Sequence, residues 1–201
     1  MSKLWFRYAS MNSGKSTNLL QVAFNYRERG MNVLLAKPSI DSKGGETIVS
    51  RIGLDAPVDI LIGPDMNVYE EMVSRVSRDS GSAPKVAALI VDEAQFLTKQ
   101  QVNQLLGVAV HLNIPVLAYG LRTDYQGESF PGSRRLLEIA HSIEEIKNIC
   151  SCGRKAMMNA RKDSKGEWVR EGSQVAIDGE NVTYESLCVS CYLLLVKDFT
   201  K

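Results

Sequence analysis

The chain has 201 residues, and 24 lysines and arginines against 23 aspartates and glutamates give a formal net charge of +1. This balance gives no electrostatic reason to expect a nucleic-acid-binding surface or attraction to an anionic membrane. The hydrophobic content of 44% is ordinary for a globular protein. No apolar run approaches the roughly 18 residues that span a bilayer. The first residues lead into a strand-like pattern rather than a signal peptide, so we expect a cytoplasmic protein with reduced thiols.

Short apolar strands alternate with amphipathic helices in the first part of the chain. Strands are predicted at 4–8, 32–36, 86–91 and 114–119, and helices at 16–29 and from Thr98 to about Asn113. Gly30 is expected to end the first helix, and Thr98 to cap the start of the second. Apolar strands separated by helices indicate a parallel sheet covered on both faces, which is an α/β fold. The polar connections 41–63 and 120–132 lie where ligands usually bind.

A phosphate-binding loop is predicted between the first strand and the first helix, where the sequence reads ASMNSGKST from Ala9. It matches the pattern of such loops from Gly14 onward, although Ala9 stands where a glycine is usual. Backbone N–H groups at a helix start can surround a phosphate, Lys15 would reach the β- and γ-phosphates, and Ser16 would bind Mg²⁺. The alternative is a chance Gly-Lys-Ser. The residues assigned to phosphate binding here are Ala9, Ser10, Met11, Asn12, Ser13, Gly14, Lys15 and Ser16.

Two adjacent acids follow the apolar strand 86–91. Asp92 is the natural carboxylate for the Mg²⁺ ion held by Ser16, with a helix N-cap as the alternative. Glu93 would lie beside the γ-phosphate, where a general base must be to reach the proton it removes. Its alternative is a solvated charge at the start of a loop. The spacing leaves open whether the proton comes from water, as in an ATPase, or from an alcohol, as in a kinase.

All four cysteines lie in two close pairs, Cys150 with Cys152 and Cys188 with Cys191. Two such pairs suit a tetrahedral zinc site, and four protein ligands would make it structural rather than catalytic. A disulfide is the alternative, which a reducing compartment disfavours. The site would close a polar excursion over 157–184 that could form a flexible loop over a substrate. We therefore predict a nucleotide-binding domain over 1–148 and a zinc-binding domain over 149–201.

Taken together, these segments resemble the type II thymidine kinases, the cytosolic zinc-containing class. The stretches that carry the resemblance are ASMNSGKST (9–17), SRIGL (50–54), VDEAQFL (91–97), YGLRTDYQGESF (119–130), CSCGRKA (150–156) and SQVAIDGENVTYESLCVSCY (173–192). The resemblance implies a P-loop (RecA-like) parallel sheet with flanking helices and a small C-terminal zinc-binding lid. It also implies transfer of the ATP γ-phosphate to the 5′-hydroxyl of thymidine, or of deoxyuridine, in deoxynucleotide salvage. A homotetramer inhibited by dTTP is expected as well.

The resemblance also assigns roles to individual residues. Glu93 matches the catalytic base, and Asp92 and Gln95 fall among the phosphate-binding residues. A flat pyrimidine is well held between aromatic faces. Without the resemblance, Phe96 and Phe130 could equally be core, and Tyr184 could pack on the zinc site. The residues that match the nucleoside pocket are Met11, Phe96, Leu121, Tyr125, Phe130, Val175, Ile177 and Tyr184.

Two segments depart from the family pattern. Lys43 stands where an arginine is common, and it offers a point charge rather than a bidentate fork. The loop 178–183 replaces a Gly-Gly turn and looks one residue longer, and Asp178 reaches positive φ less easily than glycine.

The predicted mechanism is in-line phosphoryl transfer, in which Lys15 neutralises developing charge and Glu93 accepts the proton of the 5′-hydroxyl. Arg122 and Arg161 are further candidate phosphate contacts, each with a structural ion pair as the alternative. One rival is a zinc-ribbon ATPase acting on nucleic acid, but the near-neutral charge argues against the basic strip it needs. The other is a nucleotide-binding regulatory module without turnover, which the acid pair disfavours.

Overall fold

The computed structural model describes residues 1–40, 45–78, 85–175, 182–197 and 199. The strands, numbered in chain order, are β1 (Leu4–Ala9), β2 (Asn32–Pro38), β3 (Thr47–Val49), β4 (Asp55–Pro57), β5 (Ile60–Ile62), β6 (Val86–Val91), β7 (Val116–Leu121), β8 (Ser142–Glu145), β9 (Asn148–Ile149), β10 (Lys155–Ala156), β11 (Met158–Lys162), β12 (Trp168–Val169) and β13 (Thr183–Leu187). The helices are α1 (Lys15–Glu28), α2 (Val68–Arg78), α3 (Lys99–His111), α4 (Pro131–Ile139) and α5 (Val189–Leu195), with a 3₁₀ turn at Ala94–Phe96.

The central sheet has six strands in the order β5-β2-β6-β7-β1-β8, and every neighbouring pair is parallel. The predicted α/β fold with a parallel sheet is therefore confirmed. All four predicted strands are present, although the fourth begins at Val116 rather than Ile114. The two outer strands, β5 and β8, join the sheet without having been predicted.

Helices cover both faces of the sheet, because neighbouring residues of a strand point to opposite sides. Leu34 and Leu89 pack in the core that contains α2, α3 and α4. The next residues, Leu35 and Ile90, pack on the opposite face with α1. Strands buried on both faces cannot alternate apolar and polar residues, which explains the continuous apolar runs in the sequence.

Residues with known capping preferences occur at the ends of the helices. Thr98 forms a capping box with Gln101 at the start of α3, as predicted for this N-cap. Gly30 and Asn113 follow α1 and α3 with φ of 71° and 54°, the left-handed conformation that ends helices. In α4, Pro131 occupies the first turn, where its missing N–H costs nothing. Among the described residues, none of the helices combines the length and hydrophobicity that crossing a bilayer requires.

The chain from Asn148 onward builds a smaller unit with its own core. Strands β12, β11 and β13 form an antiparallel sheet, β9 and β10 form a hairpin, and α5 packs on β11 and β13. Its buried residues include Met158, Leu187 and Tyr192. Within the excursion over 157–184, residues 158–162, 168–169 and 183–184 form strands. The predicted flexible loop over a substrate stays a prediction, because residues 176–181 lie outside the described residues. The division between 148 and 149 stays a prediction, and Lys43 and Asp178 lie outside the described residues.

Candidate active site

The phosphate loop joins β1 to α1 at the carboxyl edge of the sheet. Two of its residues, Asn12 and Gly14, have left-handed backbones with φ of 60° and 78°. The structure brings residues 11–17 together around a cavity that is also lined by residues 49–52, Glu93 and Leu121. Of the residues assigned to phosphate binding, Ala9 and Ser10 are buried behind this loop and do not line the cavity.

Asp92 lies beside the first turn of α1. The hydroxyl of Ser16 donates a hydrogen bond of 3.1 Å to Oδ2 of Asp92, and the backbone N–H of Glu93 donates one of 2.9 Å to Oδ1. Burial, together with the charge of Glu93, raises the pKa of Asp92 to about 7. A hydroxyl and a buried carboxylate are hard oxygen ligands, and a cation would relieve the cost of ionising Asp92. This pair therefore fits Mg²⁺.

Glu93 lies at the tip of β6, between the sheet and the 3₁₀ turn. Its backbone is left-handed, with φ of 48° and ψ of 37°, and its half-buried side chain lines the phosphate cavity. The side-chain nitrogen of Gln95 donates a hydrogen bond of 2.5 Å to Oε2 of Glu93. Gln95, assigned to phosphate binding from the sequence, is instead buried behind Glu93 and does not line the described cavity.

A second cavity adjoins the first and carries most of the predicted nucleoside pocket. Phe96 and Phe130 meet edge to face, with ring centroids 5.6 Å apart. The predicted residues that line it are Met11, Phe96, Leu121, Tyr125, Phe130, Val175 and Tyr184. Ile177 lies outside the described residues. Met11 and Leu121 line both cavities, so the two sites share a wall.

The four cysteines converge in the smaller unit, although their pairs are far apart in sequence. Their sulfur atoms all lie within 4.8 Å of one another, and those of Cys152 and Cys188 are 3.6 Å apart. Zinc–sulfur bonds of about 2.3 Å imply sulfur–sulfur distances of about 3.8 Å in a tetrahedron. The donor set therefore fits zinc, and Cys150, whose pair has the tighter spacing, is included.

Hydrogen bonds within the cluster shift the pKa values of Cys150 and Cys191 in opposite directions. The backbone N–H groups of Cys152 and Cys188 lower the pKa of the Cys150 thiol to about 6. Hydrogen bonding with Cys188 and Cys152 raises the pKa of Cys191 to about 12. Four thiols this close cannot all ionise without a compensating cation, so the cluster favours a metal ion over isolated thiols.

The sequence matches one protein family over almost its whole length. The family model described as thymidine kinase covers residues 2–192. The chain belongs to the thymidine kinase family. A thymidine kinase of Novosphingobium aromaticivorans is 51% identical over 192 residues, covering 94% of this chain and 95% of that protein. Thymidine kinases of Ruegeria pomeroyi and Shewanella oneidensis are 50% and 47% identical over 189 residues. Each of these two alignments covers 94% of this chain, and 92% and 95% of the respective relatives.

Several residues of this thymidine kinase family member line the site without having been assigned a role from the sequence. Residues 49–52, at the end of β3 and in the turn that leads to β4, approach the phosphate loop and bring Arg51 to its cavity. The motif SRIGL marked this segment, but the sequence did not show which cavity it faces. Asp124, Asn159 and Gln174 line the second cavity. They lie on three different segments, so only the folded chain shows that they belong together.

The two candidate phosphate arginines lie elsewhere. The guanidinium of Arg161 is buried 3.8 Å from the ring centroid of Tyr125 and donates to the carbonyl of Ser173. Arg122 lies 5.6 Å from the ring centroid of Tyr8. Neither lines the phosphate cavity that the described residues form. The structure shows each arginine over a tyrosine ring. An ion pair had been considered as the alternative.

Proposed function

We propose that this protein transfers the γ-phosphoryl group of ATP to the 5′-hydroxyl of thymidine, and of deoxyuridine, in deoxynucleotide salvage. The observation that carries the proposal is the pair of adjoining cavities that share Met11 and Leu121. One cavity contains a phosphate loop and the other is lined by aromatic residues. Glu93 lines the phosphate cavity together with Met11 and Leu121, which also line the aromatic cavity. Such an arrangement suits an alcohol held beside the γ-phosphate better than a water molecule.

The phosphate side of the reaction rests on residues 11–17. Their backbone N–H groups and the start of α1 would hold the ATP phosphates. The Lys15 ammonium would neutralise charge that develops on the transferred group. Ser16 and Asp92 would hold Mg²⁺, which would offset the negative charge of the phosphates. Among the described side chains at this cavity, Arg51 adds a second cation.

The nucleoside side rests on the aromatic cavity. Phe96 and Phe130 present an edge-to-face pair against which a pyrimidine can lie. Glu93 would accept the proton of the 5′-hydroxyl as this oxygen attacks the γ-phosphorus and the bond to the β-phosphate oxygen breaks. We propose that the chain around Val175 and Ile177 grips the edge of the base, as the family resemblance implies.

The four cysteines would hold a structural zinc ion, which when bound ties α5 to the hairpin of β9 and β10. The zinc ion would affect the active site through the smaller unit, which contacts the phosphate loop. The hydroxyl of Ser186, on β13, donates to the carbonyl of Met11, and the amide of Asn12 donates 3.0 Å to the carbonyl of Tyr184. The smaller unit thus supports the phosphate loop directly.

The family resemblance further supports a cytoplasmic homotetramer that is inhibited by dTTP. A nucleoside triphosphate built on thymidine would combine groups that suit the two adjoining cavities, since it carries both the pyrimidine and a phosphate chain. Sedimentation and inhibition by dTTP at fixed ATP and thymidine would test these two properties.

The test of the function is ADP formation by the purified protein with ATP and Mg²⁺. We expect ADP to form with thymidine, and not with single-stranded DNA or with ATP alone. 5′-Deoxythymidine, which lacks the acceptor hydroxyl, should inhibit without being phosphorylated. Stimulation by DNA in place of thymidine would overturn the proposal in favour of an ATPase, and binding of ATP without any turnover would favour a regulatory module.

A further inference from the structure

The amide of Gln95 is fixed at both ends. Its nitrogen donates a hydrogen bond of 2.5 Å to Oε2 of Glu93, and its oxygen accepts one of 3.1 Å from the backbone N–H of Leu121. A backbone N–H only donates and an ionised carboxylate only accepts, so this network defines the orientation of the amide. The side chain is 1% exposed, which leaves it little freedom to rotate away.

We infer that Gln95 is a positioning residue that holds the carboxylate of Glu93 for proton transfer. The inference rests on the proposed function, because it requires Glu93 to be the base. Gln95 occupies one carboxylate oxygen and leaves the other for the substrate hydroxyl. Leu121, its second partner, lines both cavities. The amide therefore connects the carboxylate of Glu93 to a residue that lines both cavities.

The backbone around Glu93 needs such support. A left-handed conformation is costly for a residue with a side chain, and it persists only where the surroundings impose it. The carboxylate of Asp92 accepts from the N–H of Glu93 on one side. On the other side, the N–H of Phe96 donates 3.1 Å to the carbonyl of Glu93 and closes the turn. Of these three contacts, that of Gln95 alone is made to the side-chain carboxylate of Glu93; the other two are made to its backbone.

The fold also makes room for this turn with two glycines from different elements. A Cβ atom on Gly120, in β7, would lie 2.8 Å from Oε1 of Gln95 and 3.1 Å from its backbone nitrogen. A Cβ atom on Gly132, in α4, would lie 2.4 Å from the carbonyl oxygen of Ala94. The distances of 2.8 and 2.4 Å are shorter than real Cβ contacts, and the distance of 3.1 Å is tighter than most of them. The packing around Gln95 therefore leaves a single position for the turn.

The expected effect is on the chemical step rather than on binding. Without the amide, the carboxylate of Glu93 can rotate, and a misplacement of about 1 Å costs up to about 100-fold in rate. Gln95→Met keeps the length of the side chain and removes both hydrogen bonds. Its kcat should fall about tenfold to 100-fold. The KM values for ATP and thymidine should stay within about threefold of those of the wild type.

A double-mutant cycle separates positioning from a general structural role. If Gln95 acts only through Glu93, the variant carrying both Glu93→Gln and Gln95→Met should be no slower than Glu93→Gln alone, within about twofold. Gln101→Met is the matched control. It removes a buried amide that bonds Thr98 and Gly63, and none of these three residues lines the two described cavities. It should lower the melting temperature but leave kcat within about twofold of the wild type.

Three results would overturn the inference: a kcat of Gln95→Met within about twofold of the wild type, rate losses that multiply in the double variant, or an equal loss in Gln101→Met. If Gln95→Met does not fold, Gln95→Asn replaces it, because its amide is one methylene too short to bridge Leu121 and Glu93. Its kcat should fall in the same way, and an unchanged kcat would refute the inference. Thymidine-dependent turnover of the wild type, measured alongside, tests the proposed function separately.

Discussion

The side-chain oxygen of Asn159 accepts a hydrogen bond of 2.7 Å from the backbone N–H of Met11, 148 residues away in the sequence. The nitrogen of the same amide donates 2.7 Å to the carbonyl of Thr123. Asn159 is 2% exposed and lines the aromatic cavity. One buried side chain on β11 thus joins the phosphate loop to the segment that follows β7.

Asn159→Ala should impair the use of both substrates. It removes the partner of the N–H of Met11 and of the carbonyl of Thr123, both partly buried, which costs about 2 kcal/mol of unfolding free energy. Because Met11 lines both cavities, its displacement should raise the KM values for ATP and for thymidine together. Steady-state kinetics and denaturant unfolding would measure the two effects.

Asn148→Ala is the control for this prediction. Asn148 donates 3.1 Å to the carbonyl of Met11, but this carbonyl also accepts from Ser186 and so keeps a partner. We expect a smaller change in both KM values than for Asn159→Ala. Equal effects of the two substitutions would show that the contact between Asn159 and the N–H of Met11 has no special importance.

Gly132→Ala should destabilise the protein although it lies in a helix, where alanine is normally preferred. Its added methyl group would meet three carbonyl oxygens of the turn, those of Ala94, Gln95 and Leu97, at 2.4 to 2.8 Å. Backbone atoms cannot yield as a side chain can, so overpacking should outweigh the helix propensity. A loss of about 2 kcal/mol or more in unfolding free energy is expected, together with a lower kcat.

Gly107→Ala tests whether that loss is specific. Its Cβ atom would lie 3.2 Å from a ring carbon of Tyr69, a side chain that can shift slightly. Position 107 is inside α3, where alanine gains up to about 1 kcal/mol over glycine. The unfolding free energy should stay within about 1 kcal/mol of the wild type. If Gly107→Ala is as damaging as Gly132→Ala, close packing at the turn is not the reason.

The purified protein should contain one zinc ion per chain, measured by elemental analysis. Cys152→Ser should lose the metal and melt about 5 °C or more below the wild type, because the small core of residues 150–196 is then held by packing alone. Ser151→Ala, between the two cysteines, should keep both zinc and stability. A wild type that lacks zinc, or a Cys152→Ser variant that retains it, would contradict the assignment.

The sequence predicted the strands that are buried on both faces and the helix cap that is formed by neighbouring residues. Strands β1, β2, β6 and β7 are apolar runs because both of their faces are covered, and the capping box of Thr98 lies within four residues. Strand β5 is three residues long and β8 is polar because it lies at an edge, so neither has a clear pattern. In α2, Val68, Met72 and Val76 do follow a helical spacing, and the prediction missed it.

The site likewise contains residues that short motifs predicted and residues that only the folded structure brings together. The phosphate loop, the acidic pair and the cysteines are short motifs with a chemical reason for each residue, and the structure brings each group together. The contacts of Gln95 and Asn159 depend on elements that only packing brings near, so the sequence placed Gln95 on the phosphates and gave Asn159 no role. The wall shared by Met11 and Leu121 likewise exists only in the folded chain.

The most direct test of the account is rapid-quench transfer of labelled γ-phosphate from ATP to thymidine, with both substrates saturating, by the wild type and by Glu93→Gln. The wild type should form thymidine 5′-monophosphate. Glu93→Gln should bind ATP normally and transfer about 1,000-fold more slowly, as expected when a general base is lost. Glu71→Gln, which removes a surface ion pair with Arg75, should leave the rate unchanged. Transfer by Glu93→Gln at the wild-type rate would contradict the assignment of Glu93 as the base.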